Sequence, residues 1–220
     1  MKYPLITKTS TFDAIILCDG DYPVHEVPLS ILQHASYLCC CDGALTHSIA
    51  SGLTPQAVVG DGDSLPAIYK EKYADIIHIV NEQENNDQTK STLYCQKQGF
   101  KQIAYIGSTG KREDHTIGNV ALLAHYYADF GLQVTMITDY GYFVVASGKQ
   151  CFQTFAGQQM SIFNIGGCTR FLGKGLKWAP YAYAALWQGT LNEAVADEVE
   201  LDADGVYIVY RTFGVKSKGA

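Results

Sequence analysis

The chain has 220 residues, 47% of them hydrophobic and 17% charged, with a formal net charge of −6. Such a chain can build one large domain or two modest ones around a packed core. The acidic balance speaks against a general nucleic-acid binder, which would show a basic face, and no apolar stretch is long enough to span a bilayer.

Met1 to Ser10 holds two lysines and no long apolar core, so a secretory signal is not expected. From there the first part alternates in a βα manner. Ala14 to Cys18 is a short apolar run ending at Asp19-Gly20-Asp21, and Tyr37 to Cys41 is a second, ending at Asp42-Gly43-Ala44. Ala57 to Val59, Ile76 to Val80, Ile103 to Ile106 and Val134 to Ile137 follow. Continuous apolar runs bounded by Gly and Asp suit strands buried on both faces. Helices are predicted over Ala44–Ser51, Leu65–Tyr73, Asp87–Gln98 and Asp114–Phe130; in the last, Ile117, Val120, Ala121 and Ala124 form the face expected to pack on the sheet. Strands separated by helices imply right-handed crossovers and an open parallel sheet.

The pattern changes near residue 140. Tyr142–Ala146, Gln159–Asn164, Ala184–Gln188 and Val206–Thr212 read as short strands separated by glycines and polar turns, as in a small all-β sandwich. The expected organisation is therefore an α/β domain over 1–140 followed by a β-sandwich over 141–220, with Val215 to Ala220 frayed. Seven cysteines, three of them consecutive (Cys39, Cys40, Cys41), include no C-x-x-C pair. The sequence thus gives a zinc site little support and suggests a reduced, cytoplasmic protein with inert buried thiols.

Three acidic turns each follow an apolar run: Gly60-Asp61-Gly62-Asp63-Ser64, Asn86-Asp87-Gln88-Thr89-Lys90 and Gly107 to His115. In an open parallel sheet the loops behind the strands' carboxyl ends line one crevice. Carboxylates gathered there repel unless a cation sits among them. Asp61 and Asp63, two apart in an extended turn, suit Mg²⁺, which takes one or two carboxylates plus substrate phosphates. The plain alternative for each turn is a helix cap, with Ser64, Asp63, Asp87 or Asp114 as the capping residue. Lys90 argues further, because a cation in the first turn of a helix is unfavourable unless an anion lies nearby. A phosphate facing the helix amides, the Thr89 hydroxyl and the Lys90 ammonium would account for it. The Gly107 loop is not a Walker A motif: two residues, not four, separate its glycines, and Arg112 follows Lys111. Lys111 and Arg112 remain candidate phosphate ligands. Trp178 could stack on a flat ring or simply fill a sandwich core.

Taken together, Asp42-Gly43-Ala44, Gly60-Asp61-Gly62-Asp63-Ser64, Asp87-Gln88-Thr89-Lys90 and Gly107, Gly110, Arg112, Asp114 and His115 are similar, in order and spacing, to the motifs of the thiamine pyrophosphokinase family. Gly175-Leu176-Lys177-Trp178 resembles that family's second-domain turn. The resemblance implies transfer of the β,γ-pyrophosphoryl group of ATP to thiamine, leaving AMP, in a homodimer with thiamine sites between subunits. It implies Mg²⁺ on Asp61, Asp63 and Asp87, catalytic roles for Asp63, Asp87 and Asp114, and nucleotide contacts from Asp42, Thr89, Lys90, Lys111 and Arg112. Thiamine would meet Trp178, Thr190 and Asn192. The family commonly has Ser-Asn where this chain has Leu191-Asn192, so Thr190 is the nearest hydroxyl. A pyrophosphokinase for another heterocyclic alcohol, such as a hydroxymethylpterin, and a non-catalytic thiamine or nucleotide sensor are the rival readings.

Overall fold

The computed structural model describes residues 2–215. After a two-residue strand β1 (Lys2–Tyr3), the apolar runs become β2 (Ala14–Leu17), β3 (Leu38–Cys41), β4 (Ala57–Gly60), β5 (Ile77–Ile79), β6 (Gln102–Ile106) and β7 (Gln133–Ile137). All six pair in parallel, in the order β7-β6-β2-β3-β4-β5. The chain runs outward from β2 to β5, then returns to lay β6 on the other side of β2. That reversal is where an α/β sheet opens a crevice at its carboxyl edge.

Side chains alternate across the sheet, so both faces need cover. Ile15, Leu17, Leu38, Cys40 and Val58 share a core with α1 (Glu26–Gln33) and α2 (Ala44–Ala50). Ile16, Cys39, Cys41, Val59 and Tyr105 pack with α4 (Asp87–Lys97) and α5 (Glu113–Ala128) on the opposite face. The short α3 (Ala67–Lys72) buries no residue. On α5 the packed residues are Leu123 and Tyr126, flanked by Val120 and Ala124, while Ile117 and Ala121 are exposed. The expected face is therefore rotated. The reason is that the large Tyr126 side chain, and not Ile117, fills the gap over β6, stacking on Tyr105.

Helix α1 was not expected. Its cap is His25, whose Nδ1 accepts from the Val27 amide, and Pro28 stands in its first turn. Neither is a usual start signal, and Asp139 outside the helix holds the Val24 and His25 amides instead.

The second half is built on two long strands, β8 (Gly141–Gln153) and β12 (Glu198–Val215), which pair antiparallel and bend at a bulge between Ala203 and Val206. On one side of the bend β12 pairs with β9 (Gln158–Asn164), and on the other with β10 (Phe171–Lys174). Tyr207 of the first layer meets Phe152 and Phe171 of the second, with ring centres 6.4 and 5.0 Å apart. A short β11 (Asn192–Glu193) edges β9, and β7 pairs antiparallel with β8, so hydrogen bonding runs unbroken between the two halves. One predicted strand is not a strand. Over Ala184–Gln188 the chain instead enters a 3₁₀ turn, Leu186–Gly189, because Gln188 Oε1 accepts from the Ala184 and Ala185 amides and closes it. Val215 ends β12, and the remainder of the expected frayed tail, 216–220, lies outside the described residues.

Candidate active site

A crevice of about 450 Å³ opens where the order reverses, lined by the loops behind β2 and β6 and by the start of α4. Asp61, Asp87, Lys90, Lys111 and Arg112 all face it. Asp42 sits just behind. A Cβ built on Gly60 would lie 2.7 Å from Asp42 Cβ and 3.3 Å from Asp87 Oδ1, so these two acids flank the same backbone.

The capping alternative fails for most of these acids. Asn86, not Asp87, caps α4, accepting from the Thr89 amide at 3.0 Å. Helix α3 has no side-chain cap, and α5 has none. Ser64 instead donates its amide to Asp42 Oδ2 at 2.8 Å. The other oxygen, Asp42 Oδ1, is buried with no hydrogen-bond partner among the described residues. A buried carboxylate oxygen left bare is costly unless something binds it.

The charges behave as a coupled group. Burial raises the pKa of Asp42 and Asp87, and the charge on Asp61 adds to both shifts. Lys90, itself buried, lies 3.6 Å from Asp87 and opposes that rise. Asp61 is held below the usual carboxylate range, chiefly by the Asp63 amide donating to its Oδ1 at 3.0 Å. Asp61 and Asp63 therefore do not face the crevice together: the turn closes on Asp61, and Asp63 is exposed outside the lining. Gly62 serves that turn through its φ of +83°.

Thr89 also lies elsewhere than expected. It is buried, and its hydroxyl engages Asn86 Oδ1 at 2.9 Å and the Tyr126 hydroxyl at 2.6 Å. It locks α4 to α5 and offers no free hydroxyl to the crevice. Arg112 and Asp114 are exposed and paired with each other through two hydrogen bonds of 3.1 and 2.6 Å, which lower the Asp114 pKa.

Several crevice residues escaped the sequence reading. Asn119 bridges three elements, accepting from Asn86 Nδ2 and donating to the Ser108 carbonyl. Asp19 receives Lys111 Nζ on its carbonyl (2.6 Å) and on Oδ1 (3.2 Å). Lys111 holds a left-handed φ of +56°, a strained state for a non-glycine residue. The Asp19-Gly20-Asp21 turn has no helix directly after it. It interlocks with the Gly107 loop: Gly20 donates to the Gly107 carbonyl at 2.7 Å and Asp21 to the Thr109 carbonyl at 2.9 Å. A Cβ on Gly20 would meet those two carbonyl oxygens at 2.4 and 2.3 Å. Gly20→Ala must part the loops and is expected to cost about 1–3 kcal/mol, read as a lowered denaturation midpoint; an unchanged midpoint would show that the two loops are not mechanically joined.

A second cavity, of about 350 Å³, lies in the β half, lined by Trp178, Tyr181, Tyr183, Thr190, Leu191 and Asn192 among others. It shares no lining residue with the crevice. Asn192 is buried and spends its amide on the Trp178 backbone, accepting from its N–H (3.3 Å) and donating to its carbonyl (2.8 Å). It positions Trp178. The Thr190 hydroxyl donates to the Trp187 carbonyl at 2.7 Å, and Leu191 takes a left-handed φ of +63°.

Comparisons with known proteins place the chain in a family. Residues 29–136 match the family model described as "Thiamin pyrophosphokinase, catalytic domain", and 141–210 match "Thiamin pyrophosphokinase, substrate-binding domain". No curated relative matches the sequence. Among solved structures, the thiamin pyrophosphokinase from Candida albicans superposes with a TM-score of 0.77 at 14% identity, covering 97% of this chain and 92% of that one. The yeast enzyme gives 0.76 at 16% identity (96% and 90%), and that of Bacillus subtilis 0.74 at 16% (92% and 99%). At such identities these likenesses establish the fold, while the paired domain matches, which together take in most of the sequence, establish descent: the chain belongs to the thiamin pyrophosphokinase family.

Proposed function

We propose that the crevice binds ATP with Mg²⁺ and passes the β,γ-pyrophosphoryl group to the hydroxyethyl oxygen of thiamine, giving thiamine diphosphate and AMP. The observation that carries this reading is the meeting of Asp42, Asp61 and Asp87 with Lys90 and Lys111 at the reversal of strand order. Among the described residues no group of three or more His, Cys, Asp or Glu can hold a metal ion unaided. Mg²⁺ takes one or two carboxylates plus substrate phosphates, so in this reading the nucleotide completes the site. The bare Asp42 Oδ1 and the carboxylate-only donors fit a hard cation, so Asp42, Asp61 and Asp87 would hold it. When bound, the ion neutralises charge on the phosphoryl oxygens.

The chain's own residues do the rest by position and charge. Lys90 of α4 and Lys111 of the Gly107 loop both line the crevice and would offer their charges to the phosphates. Arg112, oriented by Asp114, adds a third cation at the mouth. Asp63, exposed outside the crevice lining, is left out of the cation site in this reading. Trp178 offers an exposed ring face that already draws a cation: Lys177 Nζ lies 4.9 Å from its centre. The thiazolium of thiamine carries the same charge.

The family resemblance implies a homodimer with thiamine sites between subunits, and in this reading one subunit's aromatic cavity faces its partner's crevice. Trp187, Leu186, Leu191 and Val195, all exposed, supply apolar surface for that contact. The cytoplasm, where thiols stay reduced, is the proposed compartment; all seven cysteines are free. No helix among the described residues is long and apolar enough to cross a membrane.

The deciding experiment supplies ATP, Mg²⁺ and thiamine and follows AMP and thiamine diphosphate. AMP formed only with a pterin alcohol, or ligand binding without AMP, would replace this reading. Trp178→Ala is expected to raise the KM for thiamine about tenfold and leave that for ATP unchanged. Equal shifts in both would move thiamine away from the aromatic cavity.

A further inference from the structure

The charged groups of the crevice come from separate parts of the chain. Asp87 and Lys90 stand at the start of α4, while Lys111 and Arg112 belong to the Gly107 loop behind β6. Backbone hydrogen bonds fix that loop to the Asp19-Gly20-Asp21 turn. Among the described residues no hydrogen bond joins it directly to α4. Asn119 of α5, which also lines the crevice, makes the connection. Its Nδ2 donates to the Ser108 carbonyl at 2.9 Å, and its Oδ1 accepts from Asn86 Nδ2 at 2.9 Å. Its backbone carbonyl accepts from Gln88 Nε2 at 3.3 Å. Asn86 in turn uses its Oδ1 on the Thr89 amide and hydroxyl, so the bridge runs straight into the helix cap. A second route from loop to helix passes through the Cys18 sulfur, which accepts from Ser108 Oγ at 3.2 Å and donates to Gln88 Oε1 at 3.7 Å, a long contact.

We propose that Asn119 is a positioning residue, which sets the spacing between Asp87 and Lys90 on α4 and Lys111 and Arg112 on the Gly107 loop and so aligns the phosphoryl group for transfer. This role rests on the pyrophosphokinase reading. An amide suits the place because it offers a donor and an acceptor from one short side chain. A carboxylate there would turn an oxygen toward the Ser108 carbonyl and add negative charge near Asp87. An alanine would leave both partners to water and the loop tied to α4 only through the Cys18 sulfur.

The effect belongs to the transition state more than to binding. A flexible triphosphate can follow small shifts of either wall, so the bound ground state loses little. In the transition state the charge on the transferring group must meet the carboxylate-held cation and the loop ammonium at the same moment. A misplacement of about 1 Å at that point costs about a hundredfold in rate. Loss of the Asn119 bridge should therefore appear in kcat and not in KM.

Initial rates of AMP formation from ATP, Mg²⁺ and thiamine test this, measured well below the melting temperature of each variant. Asn119→Ala should lower kcat by about a hundredfold, with the KM values for ATP and thiamine within about threefold of the unmodified enzyme. Asn86→Ser cuts the same bridge from its other end. A serine oxygen can still cap the Thr89 amide, but no donor remains for Asn119. It should lower kcat in the same manner, and the double variant should be no slower than Asn119→Ala alone, because both changes break one connection. Circular dichroism checks each fold; if Asn119→Ala fails it, Asn86→Ser decides by the same split between kcat and KM. A kcat within about threefold of the unmodified enzyme, whatever the melting temperature, would leave Asn119 a tie of the fold and overturn the role. Losses that multiply in the double variant, or a raised KM for ATP with kcat unchanged, would overturn it equally. An unmodified protein that forms no AMP removes the pyrophosphokinase reading and this role with it, whereas an active enzyme indifferent to Asn119→Ala removes the role alone.

Discussion

Asp87→Asn is expected to slow AMP release by about a thousandfold or more, with the melting temperature held within about 3 °C. Asp87 stands in the first turn of α4, but Asn86 does the capping, so the substitution leaves the cap intact and loses only the small macrodipole stabilisation. Two electrostatic effects oppose each other in the folded state. Burial and the charges of Asp42 and Asp61 disfavour an ionised Asp87, and their loss is stabilising. Lys90, buried at 3.6 Å, favours it, and losing that pair is destabilising. The fold should hardly notice. Chemistry should notice a great deal, because a neutral amide in place of a carboxylate weakens a cation site that has few protein donors. Addition of Mg²⁺ should raise the melting temperature of the unmodified protein and do so less in Asp87→Asn. Turnover within about tenfold of the unmodified enzyme would remove Asp87 from the cation site.

The same comparison between local role and crevice role shows what the sequence could reveal. The parallel strands were legible because buried strands must be apolar without interruption, and Asp or Gly closes each one. The acids at the carboxyl edge followed from that, and Asp42, Asp61 and Asp87 do meet there. What was not legible is direction. Asp63 and Thr89 belong to turns that border the crevice, yet the Asp61 Asx turn leaves Asp63 outside the lining, and Thr89 points inward to Tyr126. Periodicity does not encode such hydrogen-bond choices. Likewise Asp19 and Asn119 gain their places only when β2 and β6 come together, a pairing of segments about 90 residues apart whose following loops close on each other. In the β half, alternation marked strands but not their length. The bends in β8 and β12 depend on a bulge whose local sequence, Ala203 to Val206, carries no periodic signal.

Arg211→Ala is expected to be the most damaging single change to the fold, at about 3–5 kcal/mol. Arg211 lies in β12 with 0% of its surface exposed. Its guanidinium donates to the carbonyls of Tyr3 (3.2 Å), Gln153 (2.6 Å) and Pro4 (3.0 Å) and lies over the Tyr142 and Phe152 rings at 4.8 and 5.6 Å. Burial lowers its pKa, but an arginine starts so high that it stays charged. Among the described residues no carboxylate pairs with it, so three backbone dipoles and two ring faces stabilise the ion. Truncation would strand those carbonyls and join the vacated space to the neighbouring cavity of about 330 Å³ beneath residues 2–12. Melting should fall by about 10 °C. Arg211→Met separates the causes. It refills the volume without restoring any donor, so about half of the loss should remain if the hydrogen bonds dominate. Hydrogen exchange should then show the amides of β1 and its partner stretch of β8 opening first, since Arg211 ties exactly that strand pair to β12. A variant that melts within about 2 °C of the unmodified protein, with β1 still protected, would mean that strand pairing alone holds the amino-terminal segment.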